Sequence, residues 1–224
     1  MPKQPSKQTS RSTISEAAIY NIFSAFEELD PAPKTELHYT NNYTLLVAVV
    51  LSARMTDKGV NKATPELFDK YDTPAKMLDL GIEGLKSYIK TVGLYPTKAK
   101  NIISLSEILL EDYDSIVPDS IEELIKLPGV GRKTANVVLN SAFGMATMPV
   151  DTHVQRVSNR LGLTCANTPD KIEQDLLKVI PTQWLFMAHH WLVLHGRYIC
   201  KSRSPECAKC PVSEWCDYRN KIKV

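Results

Sequence analysis

The chain has 224 residues, 43% hydrophobic and 23% charged, with a formal net charge of +2. That composition supports one large or two small folded domains and excludes a chain too polar to fold. The longest apolar run, Leu45 to Leu51, is far too short to span a bilayer.

Met1 to Ser12 is rich in Ser, Thr, Gln and Lys and has no apolar h-region. It reads as a disordered basic tail over residues 1–13, not a secretory signal, which implies a cytoplasmic protein with reduced cysteines. After a cap at Ser15, Ile19, Ile22, Phe23, Phe26 and Leu29 recur at helical spacing. A second helix, Leu45 to Ala53, follows Asn42; Val47 to Leu51 within it is the one strand-like run, and no partner strands accompany it. Ile102, Ile103, Leu105, Leu109 and Leu110 share one face of a helix beginning near Thr97. Ser120 and Glu123 form a capping-box pattern before Leu124 and Leu127. One helix runs from about Gly131 to Phe143 and stops at Gly144, and the next runs from Thr152 to Leu161 and stops at Gly162. Thr168-Pro169 opens another, and Trp184 to His195 forms the last long one. The fold class is all-α. The N-terminal helix, 14–34, is expected to pack with a second unit, 148–224, that follows a continuous helical domain over 35–147.

Within that domain, Leu127-Pro128-Gly129-Val130-Gly131-Arg132-Lys133 joins a glycine-punctuated turn to a helix start. Such a turn is either a plain helix–helix connection or a helix-hairpin-helix, about 119–144, whose N–H groups grip a nucleic-acid backbone. Lys133 is correspondingly a solvated phosphate contact or a nucleophile. An amine nucleophile needs its pKa brought from about 10.4 toward roughly 7–8, at a cost to its surroundings of about 3–4 kcal/mol. A helix N-terminus, Arg132 and partial burial all push that way. Asp151, in Val150-Asp151-Thr152-His153, suits a helix N-cap. An ionised capping carboxylate can also stabilise a developing oxocarbenium charge, although it cannot lower the lysine pKa.

Cys200-x6-Cys207-x2-Cys210-x5-Cys216 gathers four thiols, and this spacing suits either zinc or a [4Fe–4S] cluster. From Arg197 onward seven basic residues face three acidic ones, and Lys201 and Arg203 lie in the loop between the first two cysteines. That loop reads as a phosphate-contacting surface propped up by a fully ligated, structural site. Cys165 stands outside the pattern. His189, His190 and His195 read as interdomain packing or hydrogen-bonding residues, not metal ligands.

These three motifs, in this order and spacing, resemble the endonuclease III family, bifunctional DNA glycosylases and AP lyases of base excision repair. The resemblance extends from about Ile14 to Tyr218. It implies a six-helix barrel domain and a [4Fe–4S] domain held by Cys200, Cys207, Cys210 and Cys216, with the N-terminal helix in the cluster domain. It further implies a monomer acting on double-stranded DNA that carries oxidised or ring-saturated pyrimidines or abasic sites. Lys133 would be the nucleophile and Asp151 its catalytic partner. Leu127, Gly129, Val130, Gly131 and Arg132 would contact DNA with Lys201 and Arg203, and Ser52, Asp57 and His153 are assigned to the substrate pocket. Leu94 matches a wedging residue. Arg54 departs from the pattern, standing where the family has a glutamine that fills the gap left by the flipped nucleotide and touches the unpaired base. An arginine there predicts an altered opposite-base preference. The adenine-glycosylase branch, which by the same resemblance lacks the lysine, is the nearest enzymatic alternative. A non-catalytic DNA-binding hairpin module is the other.

Overall fold

A computed structural model describes residues 12–218 of the chain. The basic residues Lys3, Lys7 and Arg11, and those from Arg219 onward, lie outside the described residues. Eleven α-helices and three short 3-10 turns make up the regular structure, with no strand among the described residues. None of these helices is long and apolar enough to cross a membrane. The helices are α1 Glu16–Leu29, α2 Asn42–Ser52, α3 Asp57–Ala63, α4 Pro65–Lys70, α5 Pro74–Ile89, α6 Tyr95–Asp112, α7 Ile121–Leu124, α8 Arg132–Phe143, α9 Thr152–Leu161, α10 Pro169–Val179 and α11 Leu185–Tyr198. They fall into two compact units. Lys34–Met145 forms one, and the described residues up to Pro33 together with those from Ala146 form the other.

The middle unit is built around α2. Every residue from Tyr43 to Leu51 is buried, so this helix is apolar on all sides, and that is why it carries a strand-like run. It begins at Asn42 itself, three residues before Leu45, with Asn41 as N-cap: Asn41 Oδ1 accepts from Thr44 N–H at 2.9 Å, and Thr44 Oγ1 accepts from Asn41 N–H at 3.0 Å. Helix α8 and helix α6 pack on α2, and α5 packs along α6. The stretch α3 to α5 carried no helical assignment from periodicity, because its helices are short or broken. Gly81, at φ 69° and ψ 171°, interrupts α5. The signals present there are Pro65 and Pro74, each in the first turn after a threonine N-cap. Helix α6 begins at Tyr95, two residues before Thr97. At α7 only half the expected capping box forms. Ser120 Oγ accepts from Glu123 N–H, but the Glu123 carboxylate accepts from Tyr113 Oη at 2.5 Å and from Lys126 Nζ at 2.6 Å.

In the other unit α1 is capped by Ser15 and buries Ile22 and Phe23 completely. Phe23 stacks on Trp184 with centroids 6.1 Å apart and lies 6.3 Å from the Trp191 ring. Both indole N–H groups return to the end of α1, Trp184 Nε1 donating to Glu27 Oε2 at 2.9 Å and Trp191 Nε1 to the Asp30 carbonyl at 2.8 Å. These bonds are why two large aromatics with polar N–H groups can be buried here. Helix α9 ends at Gly162, φ 88°, whose carbonyl accepts from Thr13 N–H at 2.9 Å and from Ser12 Oγ at 2.9 Å.

Candidate active site and cysteine cavity

The hairpin turn of the middle unit is Leu127-Pro128-Gly129-Val130, closed by Val130 N–H donating to the Leu127 carbonyl at 3.1 Å. Pro128 precedes Gly129 at φ 80°, the residue order of a type II turn. A Cβ on Gly129 would meet Asn101 Nδ2 at 2.8 Å, so the turn needs glycine for its backbone angle and for the close approach of α6. Leu127 and Val130 are buried, at 2% and 6% exposure, in the core of this unit. Their side chains therefore anchor the turn, and their N–H groups donate to the Leu124 and Leu127 carbonyls at 3.1 Å, so within the hairpin assigned to DNA contact these two residues shape the turn.

Gly129, Gly131, Arg132 and Lys133 are exposed. Helix α8 starts at Arg132 with Gly131 as N-cap, at φ −93° and ψ 174°, and no side chain caps it. Lys133 is thus the second residue of a helix whose start carries partial positive charge and no internal anion. The partial burial expected of Lys133 is not observed, since its side chain stands in solvent. Ser52 is half-buried and donates back to the Val49 carbonyl at 2.8 Å, while half-buried Asp57 opens α3 behind the Thr56 cap. Arg54 and Leu94 are exposed tips.

In the other unit Asp151 caps α9. Its Oδ1 accepts from His153 N–H and Val154 N–H, both at 2.8 Å, which leaves Oδ2 outside the cap. His153 lies against Gly196 of α11, where an added Cβ would come within 2.9 Å of His153 Cβ. Its Nδ1 is 3.2 Å from Arg156 Nη2.

Cys200, Cys207, Cys210 and Cys216 line one cavity with Leu161, Ile199, His195 and Tyr218. Among the described residues no three His, Cys, Asp or Glu side chains are arranged to hold a metal ion as they stand. Burial pushes the Cys210 thiol up to about 11, and the neighbouring cysteines add to the effect. His195, buried beside it with Nε2 3.6 Å from Cys210 Sγ, is pushed down to about 4 by desolvation. Lys201 is paired with Glu206, and Arg203 is exposed. Cys165 is an exposed thiol away from this cavity.

Sequence reasoning passed over two arginines on α9. Arg156 Nε donates to the Cys200 carbonyl at 3.1 Å and its Nη2 to the Gly196 carbonyl at 2.8 Å. Arg160 donates to the Lys201 and Ser202 carbonyls at 2.7 and 2.8 Å, lies 3.5 Å from Cys200 Sγ and covers the Tyr218 ring at 4.7 Å. Their four-residue spacing puts them on one face of α9, and that spacing was the available signal. The helix that Asp151 starts is thereby tied to the first cysteine and its basic loop.

The turn's demand for glycine gives a direct test. Gly129→Ala lowers the unfolding free energy by about 1–3 kcal/mol through backbone strain and the clash with Asn101. Gly131→Ser, with ordinary backbone angles and open space around it, is tolerated. Urea denaturation of both variants distinguishes the two glycines.

Residues 47–182 match the family described as HhH-GPD superfamily base excision DNA repair protein. The chain is 60% identical to endonuclease III of Rickettsia conorii over 209 residues, 93% of this chain and 100% of that protein. It is 48% identical to endonuclease III of Escherichia coli K12 over 211 residues, 94% of this chain and 100% of that protein. Among solved structures, a trapped endonuclease III–DNA covalent intermediate matches with a TM-score of 0.86 at 42% identity, covering 93% of this chain and 99% of that one.

Proposed function

Because this chain belongs to the endonuclease III family of HhH-GPD base excision repair proteins, it is a DNA glycosylase and abasic-site lyase, and we propose that Lys133 and Asp151 carry its chemistry. The observation that carries this reading is the placement of Lys133: an exposed amine on the first turn of α8, directly after a turn held by Gly129. Backbone N–H groups at such a start grip phosphate without reading sequence, so the same element can hold the strand and present the nucleophile.

The substrate is double-stranded DNA with an oxidised or ring-saturated pyrimidine, or an abasic site. Extruding the damaged nucleotide costs a few kcal/mol, less when the base stacks poorly. The unprotonated Lys133 Nζ attacks the sugar C1′ and the base departs with the glycosidic electron pair, taking up a proton. The C1′–O4′ bond then breaks, O4′ gaining the proton that the attached nitrogen gives up, and leaves a Schiff base that makes the 2′ proton acidic. Removal of that proton expels the 3′ phosphate by β-elimination, and water hydrolyses the Schiff base to free Lys133. One amine thus serves both steps. The Asp151 carboxylate stabilises the positive charge that develops on the sugar. Its N-cap bonds use Oδ1 and fix the group in direction.

The donor set of the cysteine cavity fits a [4Fe–4S] cluster. Four thiols line one space whose other walls include Leu161 and Ile199, and the Arg160 guanidinium lies beside Cys200 Sγ. When bound, the cluster supplies metal cations that stabilise four thiolates in one fully ligated node. The chain's own part is to hold the Lys201–Arg203 loop, which Arg160 grips by its carbonyls so that Arg203 stays outward for phosphate.

Lys133→Ala abolishes the covalent adduct trapped by borohydride on abasic DNA; an undiminished adduct sinks the assignment. Asp151→Asn keeps a good N-cap and so leaves thermal stability nearly unchanged, while single-turnover base release slows by about 100-fold or more through loss of the charge. Metal analysis of the purified protein finds iron and sulfide in equal amounts, and Cys200→Ser lowers both together with affinity for duplex DNA; zinc in their place overturns the cluster reading. Arg54, exposed at its turn, sets the opposite-base preference: Arg54→Gln changes the ranking of cleavage rates for one lesion opposite each of the four bases, and coincident rankings reject this.

A further inference from the structure

Arg54 at φ 57° and Leu94 at φ 59° hold left-handed backbone angles that non-glycine residues rarely adopt. Both are exposed, Leu94 to 61%. The turn at Arg54 runs from Ser52 to Met55, whose N–H donates to the Ser52 carbonyl at 2.9 Å. With Ala53 at φ −55° and ψ 114°, it is a type II turn with arginine where glycine or asparagine belongs. A type I turn of the same residues would relieve Arg54. The two types differ mainly in the peptide between Ala53 and Arg54, whose carbonyl points to opposite sides.

That carbonyl is held. Lys98, 5% exposed, donates from Nζ to the Ala53 carbonyl at 2.7 Å and to the Leu51 carbonyl at 2.8 Å. Its own backbone N–H donates to the Leu94 carbonyl at 3.1 Å, the first hydrogen bond of α6. One residue is therefore bonded by its side chain to the turn that carries Arg54 and by its backbone N–H to Leu94. Burying an ammonium is costly unless its donors are satisfied, and desolvation does lower its pKa. A glycine at position 54 would make the same turn without strain and without a lysine to hold it. The combination makes sense where the side chain at position 54 is what has to be presented.

We propose that Lys98 is a positioning residue for lesion recognition, locking the Ser52–Met55 turn in its strained form so that Arg54 and Leu94 meet the duplex as one rigid pair. The proposal rests on the reading of Arg54 as the gap-filling residue and Leu94 as the wedge. An arginine head can occupy the space of an extruded nucleotide and donate to base edges, and an exposed apolar tip can part a base step. Holding both in advance removes the ordering cost from binding.

A double-mutant cycle tests it, read as affinity for a duplex containing an uncleavable tetrahydrofuran abasic analogue. Lys98→Met weakens that binding about tenfold but has less than about a twofold effect once Arg54→Ala and Leu94→Ala are both present, because coupled groups are non-additive. Binding to undamaged duplex is unchanged, and Lys98→Arg, which keeps donors, recovers much of the loss. An equal loss in both backgrounds overturns the positioning role and leaves the wedge reading intact. Arg54→Ala with Leu94→Ala binding lesion DNA as tightly as the parent overturns the wedge reading and this proposal with it. Should Lys98→Met fail to fold, Lys98→Gln, which retains one donor, goes through the same cycle with the same deciding outcomes.

Discussion

The left-handed backbone at Gly129 is the constraint on which the proposed catalytic end of the middle unit depends. A chain that leaves α7 and must start α8 within a few residues needs a reversal, and Pro128-Gly129 supplies it with one proline-fixed angle and one positive angle. Leu127 and Val130, on either side, sink into the core. They fix the turn from below, and Asn101 closes over the place where a Cβ would stand. Everything functional then follows by position: with the turn anchored, Gly131 starts the helix without a side-chain cap, and Lys133 emerges on the first turn. On the proposed reading, binding a phosphate and presenting an amine are two uses of one helix start.

The same logic recurs at α9. Asp151 begins that helix with a cap whose two N–H bonds use a single oxygen. One turn and two turns further along, Arg156 and Arg160 reach across to backbone carbonyls of the cysteine loop. Gly196 lets α11 approach closely enough for this, since any side chain there would strike His153 and Val157. A charged group at the head of a helix is thus tied through the body of that helix to the four-cysteine cavity. The role proposed for the cavity, holding the Lys201–Arg203 loop, needs no open ligand position.

Both units carry the side chains proposed to be functional where backbone geometry is under the tightest control. Lys133 and Asp151 stand at helix starts, and Arg54 and Leu94 stand at positive-φ tips. Helix starts have a directional field and fixed N–H groups. Strained tips hold one geometry only because surrounding bonds over-determine them; the Lys98 bonds are such a determinant. Rigid presentation suits recognition of a lesion, where the protein must form its contacts against the cost of unstacking DNA.

Local signals were readable from residues alone because they act over a few positions. The caps at Ser15, Ser120 and Asp151, the stops at Gly144 and Gly162, the hairpin motif and the cysteine spacing all fall within a turn or two of their effects. The α2 helix strained this reading, because a helix buried on every side loses its periodic signature. Helices α3 to α5 escaped it, their amphipathic pattern being short or broken at Gly81. Tertiary structure alone decided that Leu127 and Val130 point inward, that Glu123 turns to Tyr113 and Lys126 and not to its own helix start, and that Lys133 stands in solvent. It alone joined Lys98 to a carbonyl 47 residues away and Arg160 to one 41 residues away. Spacing along a chain reports which residues share a turn of helix. Which buried donor meets which distant carbonyl depends on how whole helices pack, and only the folded core settles that.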